Sequence, residues 1–343
     1  MADTNNDASS QYARAGVDID AGQRTVEMLK SAVLATYTPQ VLSEIGNFGG
    51  LFDISALKAM QAPVLVASTD GVGTKTMVAA HMNRWDTIGQ DLVNHCLNDI
   101  LVQGARPLFF MDYVATSRLV PEQIAAIVGG MAKACEQAGC ALLGGETAEM
   151  PGVYVDGEVD VVGTILGVVD RAALIDGQRI QPGDVMLGLP SSGLHTNGYS
   201  LARLALADLD WHTVHPALGQ PIGEALLAIH RAYVADVQAM QGAGLDIRGL
   251  AHITGGGIVD NLPRILPDHV DAIVRRGSWP VPPIFDLIQQ QGNVTEGEML
   301  RVFNMGLGML AVLPAKDAKQ VDGAYVVGEI VAGQGAVVIE DAH

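Results

Sequence analysis

Two rhythms of apolar and polar positions alternate along this chain, and together they set out its elements. A helical rhythm over Ala21 to Ala35 places Val26, Leu29, Ala32 and Val33 on one face, with Asp20 as the N-cap. Runs of strand type, mostly apolar, recur at 63–67, 106–115, 140–143, 160–169 and 185–189, and again at 271–276, 305–313, 325–331 and 336–339. Between them lie further helical stretches. One starts at Thr76. One is capped by Asp86-Thr87, runs to Gln103 and stops at Gly104. Another opens on Pro121 at its first turn and ends at Gly139. Later helices are expected over Tyr199–Leu206, Glu224–Met240 as one long element, Ile258–Ile265 and Pro283–Gln291. The polar start, residues 1–10, reads as disordered, and Gln11 to Asp20 as extended. A polar break at Asp170–Gly177 divides the chain into a flexible segment (1–20), a first domain (21–170) and a second domain (171–343).

Length supports that division, since 343 residues provide two cores. No run approaches the ~18 apolar residues that cross a bilayer, and the first ten residues lack the apolar stretch of a secretory leader, so a soluble, membrane-free chain is expected. Three cysteines (Cys96, Cys135, Cys140) without C-x-x-C spacing fit a reducing cytoplasm rather than a zinc or disulfide framework. A net charge of −18 argues against nucleic acid as a partner. Glycine is over-represented, 40 residues or about 12% against a usual ~7%, with no repeat to explain it. Glycine-rich loops are therefore where chemistry is sought.

Four such places stand at ends of strands. Ser68-Thr69-Asp70-Gly71-Val72-Gly73-Thr74-Lys75 puts a carboxylate, two glycines and a lysine at a strand-to-helix turn, a phosphate-type arrangement that fits neither G-x-x-x-x-G-K-S/T nor G-x-G-x-x-G. An ordinary turn with a capping Asp70 reads equally well there. Gly144-Gly145-Glu146-Thr147-Ala148-Glu149 is expected as a loop following the strand 140–143. Ser191-Ser192-Gly193-Leu194-His195-Thr196-Asn197-Gly198 gathers hydroxyls, an amide and an imidazole before a helix. His252-Ile253-Thr254-Gly255-Gly256-Gly257 sets three glycines at a helix start, where a close phosphate would justify their entropy cost. Asp91, His95 and Asp99 recur at helical spacing with Asn98 beside them. Read alone they form a solvated face, with His95 a surface or packing residue.

These stretches, with Ala15-Gly16-Val17-Asp18-Ile19-Asp20-Ala21-Gly22, Asp86-Thr87-Ile88-Gly89 and Asn98-Asp99-Ile100, resemble the phosphoribosylformylglycinamidine cyclo-ligase (AIR synthetase) family in order and from about Tyr12 onward. The resemblance implies an α+β fold of two domains: an N-terminal mixed-sheet domain for ATP binding and dimerisation, and a C-terminal α/β sandwich for substrate. The strand and helix pattern alone also accommodates a doubly wound sheet. It further implies ATP and Mg²⁺ as cofactors, a homodimer, and a cytoplasmic location. Carried over residue by residue, Asp70, Asp99 and Glu146 would be metal ligands. Gly71, Gly73, Thr74, Lys75, Asp86, Asn98, Gly144 and Gly145 would join them in holding ATP. Ser192, Gly193, His195, Thr196, Asn197, Thr254, Gly255, Gly256 and Gly257 would hold substrate, and His195, His252 and Lys75 would be catalytic. The early Ala13-Arg14 departs from the family's basic-then-acidic pair, where Arg14 could supply the displaced charge, and His95 stands where the family is commonly apolar and receives no role.

The implied reaction is ring closure of formylglycinamidine ribonucleotide to aminoimidazole ribonucleotide. The γ-phosphoryl of ATP would pass to the formyl-amide oxygen, and the amidine nitrogen would then displace phosphate from that carbon. His195 or His252 would shuttle a proton, or only bind substrate. Among relatives of the same scaffold, selenophosphate synthetase would want a cysteine or selenocysteine near the start, whereas the first here is Cys96. The hydrogenase-maturation relative would want a C-terminal cysteine, whereas this chain ends Asp341-Ala342-His343. A kinase, or a non-catalytic nucleotide-binding subunit, is the remaining alternative.

Overall fold

The computed structural model describes residues 19–43, 45–318 and 321–341. The expectations for residues 1–18, Arg14 among them, lie outside the described residues. Helix α1 (Ile19–Ala35) contains Asp20 in its first turn rather than starting after it, and it buries Ala21, Thr25, Leu29 and Val33. That spacing of four gives a stripe too narrow to include Val26, which stays half exposed.

The first half then runs β1 (Pro63–Gly71), α2 (Lys75–Met82), α3 (Ile88–Leu101), β2 (Arg106–Thr116), α4 (Pro121–Ala138), β3 (Ala141–Glu149) and β4 (Val159–Asp170). Its four strands lie in the order β1-β4-β2-β3, with β2 and β3 parallel and the other pairs antiparallel. Pro121 opens α4, and Gly139, at φ 65°, ends it as expected. Two expectations change. Thr87 precedes α3 without making a side-chain cap, and Gly144–Glu149 is not a loop but the continuation of edge strand β3.

Helix α3 is the axis of the molecule. Every residue of it except Asp99 is buried, polar ones included, so its Asp91–His95–Asp99 stripe is not a solvated face. Leu92, Val93, Cys96, Leu97, Ile100 and Leu101 already cover a wide arc, the mark of a helix enclosed on all sides.

The second half comprises β5 (Asp184–Pro190), α5 (Tyr199–Ala205), the short pair β6 (Val214–His215) and β7 (Gln220–Pro221), α6 (Ile222–Leu226), α7 (Val234–Gly242), β8 (Gly249–His252), α8 (Gly257–Asn261), β9 (Val270–Arg276), α9 (Pro283–Gly292), α10 (Glu296–Val302), β10 (Leu307–Pro314), β11 (Tyr325–Ala332) and β12 (Val337–Asp341). Its six-stranded sheet has the order β12-β9-β11-β5-β10-β8 and is antiparallel except between β12 and β9, which rules out a doubly wound arrangement. Separate apolar clusters cover its two faces. The largest cluster crosses between the halves, joining Ile88 and Leu92 to Tyr199, Ile222, Phe285 and Phe303.

The long helix expected over Glu224–Met240 is broken between α6 and α7. Four successive carbonyls there are taken by distant side chains instead of by amides one turn on. Ala228 O accepts from Lys75, Ile229 O from Ser192, His230 O from Asn94 and Arg231 O from Asn98. Long-range contacts thus replace the local ladder and turn His230 inward. Among the described residues, no helix is long and apolar enough to cross a membrane.

Candidate active site

The end of β1, the buried helix α3, the loop before α5, the break after α6 and the end of β8 converge where the two halves meet. Asp70 leaves β1 with Oδ1 accepting from the Gly71 amide at 2.8 Å and Oδ2 lying 2.9 Å from His95 Nε2. His95 Nδ1 lies 2.5 Å from Thr196 Oγ1. One turn on from His95, Asp99 Oδ1 meets His252 Nδ1 at 2.8 Å, and Asp99 Oδ2 accepts from Ser68 Oγ at 2.9 Å. His230, which the sequence reading passes over, closes the group. Its Nε2 is 3.1 Å from His252 Nε2 and 3.1 Å from Asn98 Nδ2, and its ring stacks on His195 at 3.9 Å.

His195 is held in an unusual state. Its φ of 63° is a left-handed conformation rare for a residue with a Cβ. Its carbonyl accepts from Lys75 Nζ and Tyr199 Oη, and the loop is tied down by Asn304, which donates to Gly193 O. The Ser192 amide donates to His195 Nε2 at 3.2 Å, so the ring proton sits on Nδ1, and that buried nitrogen has no partner. An enclosed donor without an acceptor costs stability unless something else uses it.

Burial and charge divide the imidazoles. Burial alone lowers His95, but the hydrogen bond and charge of Asp70, with Asp99 and Asp91 behind, raise it above its ordinary value. Burial pushes His195 and His230 well below theirs, and their neighbouring cations add to the effect. For His252 burial outweighs the Asp99 hydrogen bond, and the net shift is downward. Burial favours the neutral acids at Asp70 and Asp99, yet their imidazole partners prevail and hold both carboxyls below the usual range.

Several residues expected at the nucleotide are engaged otherwise. Lys75 is fully buried, with Nζ donating to Asp91 Oδ1 at 2.8 Å, His195 O at 3.0 Å and Ala228 O at 2.7 Å. All three of its protons are thereby used, so it is an internal clamp rather than a free phosphate contact. Asn98 donates to Arg231 O and accepts from the Tyr233 amide, which makes it a brace between the halves. Asp86 is exposed and pairs with Arg84 at 3.3 Å. Thr74 Oγ1 reaches Ser200 Oγ at 3.1 Å, and Gly73 has φ 65°.

Gly144, Gly145 and Glu146 border a different cavity of about 430 Å³, walled by Leu29, Val33 and Leu142 and containing Asp112. Asp70 pairs with Gly163, Gly163 with Asp112 and Asp112 with Gly145, so Asp70 and Gly145 share one row of the sheet, three strands apart or ~14 Å. Glu146 follows Gly145 and therefore directs its side chain to the opposite face from Asp70. The expected three-carboxylate magnesium cage is not assembled within one chain. What remains of it is Asp70 and Asp99, two carboxylates facing imidazoles, and one or two carboxylates suffice for a Mg²⁺ whose other ligands are phosphate oxygens and water.

A cleft of about 560 Å³ opens beside this group, lined by Asp99, His252, Thr254, Asn261 and Arg264 among others. The glycine triplet at its edge is required by packing as well as by any ligand. Gly256 and Gly257 have φ 97° and 60°, and a Cβ on Gly257 would come within 2.0 Å of Leu300 O. Gly255 faces the Asn197 side chain instead. Ser192 and Gly193 belong to the tied-down loop before α5, whose Thr196 is buried against His95.

Comparison with known proteins follows the same outline. The AIR synthase related protein family matches in two parts, its N-terminal domain over residues 53–169 and its C-terminal domain over residues 181–341. A phosphoribosylformylglycinamidine cyclo-ligase of Desulfitobacterium hafniense is 52% identical over 327 residues, covering 93% of this chain and 96% of that one. One of Geobacillus thermodenitrificans is 51% identical, covering 94% and 96%. Among solved structures, a thiamine-monophosphate kinase from Stenotrophomonas maltophilia superposes with a TM-score of 0.67 at 19% identity, over 92% of this chain and 96% of that one. The hydrogenase maturation protein HypE in complex with ATP gives 0.67 at 19% identity, over 94% and 91%. At that identity the last two establish the shared fold.

Proposed function

The chain belongs to the phosphoribosylformylglycinamidine cyclo-ligase family, and from that premise we infer that it closes formylglycinamidine ribonucleotide to aminoimidazole ribonucleotide with ATP, releasing ADP and phosphate. It is a ligase of purine biosynthesis. The observation that carries this reading is identity of about half the residues with cyclo-ligases over nearly the whole chain.

Ring closure is difficult because an amide carbon is a poor electrophile and its oxygen a poor leaving group. ATP supplies the activation by phosphorylating that oxygen, after which the amidine nitrogen bonds to the carbon and phosphate departs. The chain's own part is to orient the substrate and handle protons. We assign the ribotide to the cleft beside His252, Thr254 and the glycine triplet, which is supported by the convergent polar side chains there. We assign the proton of the attacking nitrogen to His252, which lines this cleft bonded to Asp99, with the enclosed His195 ring stacked on His230 behind it. We assign the nucleotide's base to the apolar cavity bordered by Gly144 and Gly145. Mg²⁺ would arrive on the triphosphate, and no step is routed through it.

Dimerisation is proposed through the outer face of the four-stranded sheet. There Leu65, 61% exposed, and Met111, 41% exposed, accompany half-buried Leu166 and Tyr113. A cytoplasmic location accords with three free, buried cysteines.

The test is direct. Purified protein supplied with Mg²⁺, ATP and the open-chain ribotide is expected to form the aminoimidazole, ADP and phosphate in equal amounts. ATP binding without product, or a phosphorylated product retaining the open chain, would overturn the reading.

A further inference from the structure

Two carboxyls, Asp112 and Glu146, line the cavity beside α1, and Glu146 turns to the other face of the sheet from Asp112. The walls are apolar, with Leu29 and Val33 from α1, Val128 from α4 and Leu142 from β3, and no lysine, arginine or histidine among them. Thr25 and Ser43 also line it but are engaged. Thr25 Oγ1 donates to Ala21 O at 2.8 Å, and Ser43 Oγ accepts from the Leu51 amide at 2.9 Å. Asp112 is half-buried there, and among the described residues its carboxyl has no hydrogen-bond partner beyond its own backbone. We propose that Asp112 holds the nucleotide by the edge of its adenine, accepting from the 6-amino group and donating its acid proton to N1.

The backbone around Asp112 is shaped to present it. A Cβ on Gly145 would come within 2.2 Å of Asp112 Oδ1 and 2.6 Å of its Cγ, so the carboxyl lies across the bare Cα of the neighbouring strand. A side chain at 145 would displace it. The pairing of β2 with β3 slips by one residue between Phe110 and Met111, just before Asp112 meets Gly145. Bulges of this kind re-aim side chains beside ligand sites. On the far side the loop 46–50 closes on β3, with Gly50 so near Leu143 that a Cβ would fall 2.4 Å from its Cγ. The resulting slot of about 430 Å³ is of the size that takes a small ligand.

The N1 atom and 6-amino group of adenine stand side by side, one acceptor and one donor. A protonated carboxyl offers one donor and one acceptor in return. An ionised carboxylate could take only the amino proton and would set its charge against the N1 lone pair. The apolar walls supply the required form, because burial without a cation favours the neutral acid. Cys135 of α4, a titratable neighbour, brings no positive charge. Asp70 lies two strands away in the same row, so the base and the carboxylate at the other end of that row share one face of the sheet.

The inference rests on the base occupying this cavity, and it is read by binding, apart from ring closure. Full-length protein with Mg²⁺ is titrated by equilibrium dialysis with ATP and two analogues: 1-deaza-ATP, which lacks the N1 acceptor, and purine riboside triphosphate, which lacks the 6-amino donor. Each analogue should bind at least tenfold more weakly than ATP, since each leaves half of a buried donor and acceptor pair unmet. Asp112→Ala should weaken ATP binding and shrink both penalties to under threefold, which a purely structural role would not do. Asp112→Asn, whose amide also offers one N–H and one C=O to that edge, should restore them. Circular dichroism and melting establish that each variant is folded, with Asp112→Val standing in if the alanine variant is not. Equal binding of ATP and 1-deaza-ATP by the parent overturns the inference and leaves ring closure standing. So do penalties undiminished in folded Asp112→Ala. A parent that shows both penalties but forms no aminoimidazole loses the ring-closure reading alone.

Discussion

The Lys75 ammonium lies 2.8 Å from Asp91 Oδ1 with both side chains fully enclosed, and the same carboxylate oxygen accepts the His230 amide at 2.7 Å. This pair fastens both histidine-bearing loops of the second half to α2 and α3 of the first. Removing one partner leaves the other charge buried alone, a loss of about 3–5 kcal/mol. Lys75→Met should therefore lower the melting temperature sharply, and Lys75→Met with Asp91→Leu should recover much of the loss. A Lys75→Met protein of native stability whose only defect is a raised KM for ATP would restore the nucleotide contact in place of the clamp.

The backbone at His195 yields a second expectation. A left-handed residue with a Cβ is strained by roughly 1 kcal/mol relative to glycine. His195→Gly and His195→Ala both lose the imidazole and differ only in that Cβ. The glycine variant should unfold about 1 kcal/mol later in urea, despite glycine's greater freedom in the unfolded chain. Equal stabilities would show that the loop relaxes φ when the ring is gone.

Much of this was legible from spacing. The ends of α4, the strands on either side of it, and the order of the glycine-bearing segments follow from local residue chemistry, chain length and a polar break suggested two domains, and the family resemblance supplied their character. What escaped was decided at long range. Asp91, His95 and Asp99 have the spacing of a solvated stripe, yet the broad apolar arc of Leu92, Val93, Cys96, Leu97, Ile100 and Leu101 was the available indication that α3 is buried all round. His230 stands in a segment without a local breaker, and no pattern shows that distant Lys75, Ser192, Asn94 and Asn98 claim its carbonyls. Helix α10 did have a local sign, Thr295 placed three residues before Glu298, whose amide it caps at 3.3 Å.

Asp112 gives a pH dependence. Burial raises its carboxyl to about 7, with only its own backbone opposing. The folded state thus holds this proton more tightly than the unfolded chain does, whose aspartates titrate near ~3.9. The associated stability is complete below ~4 and is lost as pH rises through about 7. Because the side chain borders a cavity, we scale the full linkage down to roughly 1–2 kcal/mol. Asp112→Asn should match the parent near pH 4 and exceed its stability by that amount at pH 8.5, measured by denaturant unfolding. A variant equally displaced at both pH values would remove the titration as the cause.

His252 decides how protons move during ring closure. It lines the cleft, and its Nδ1 is oriented by Asp99 at 2.8 Å. If it relays a proton from the attacking amidine nitrogen, its loss acts on the transition state, where general acid–base groups contribute ~10²–10⁴-fold. His252→Ala should then lower kcat and kcat/KM together by at least a hundredfold while the KM for the ribotide changes little. His252→Gln, which keeps a polar side chain for binding but has no titratable nitrogen, should not recover the rate. A variant with unchanged kcat and a raised KM would make His252 a binding residue only.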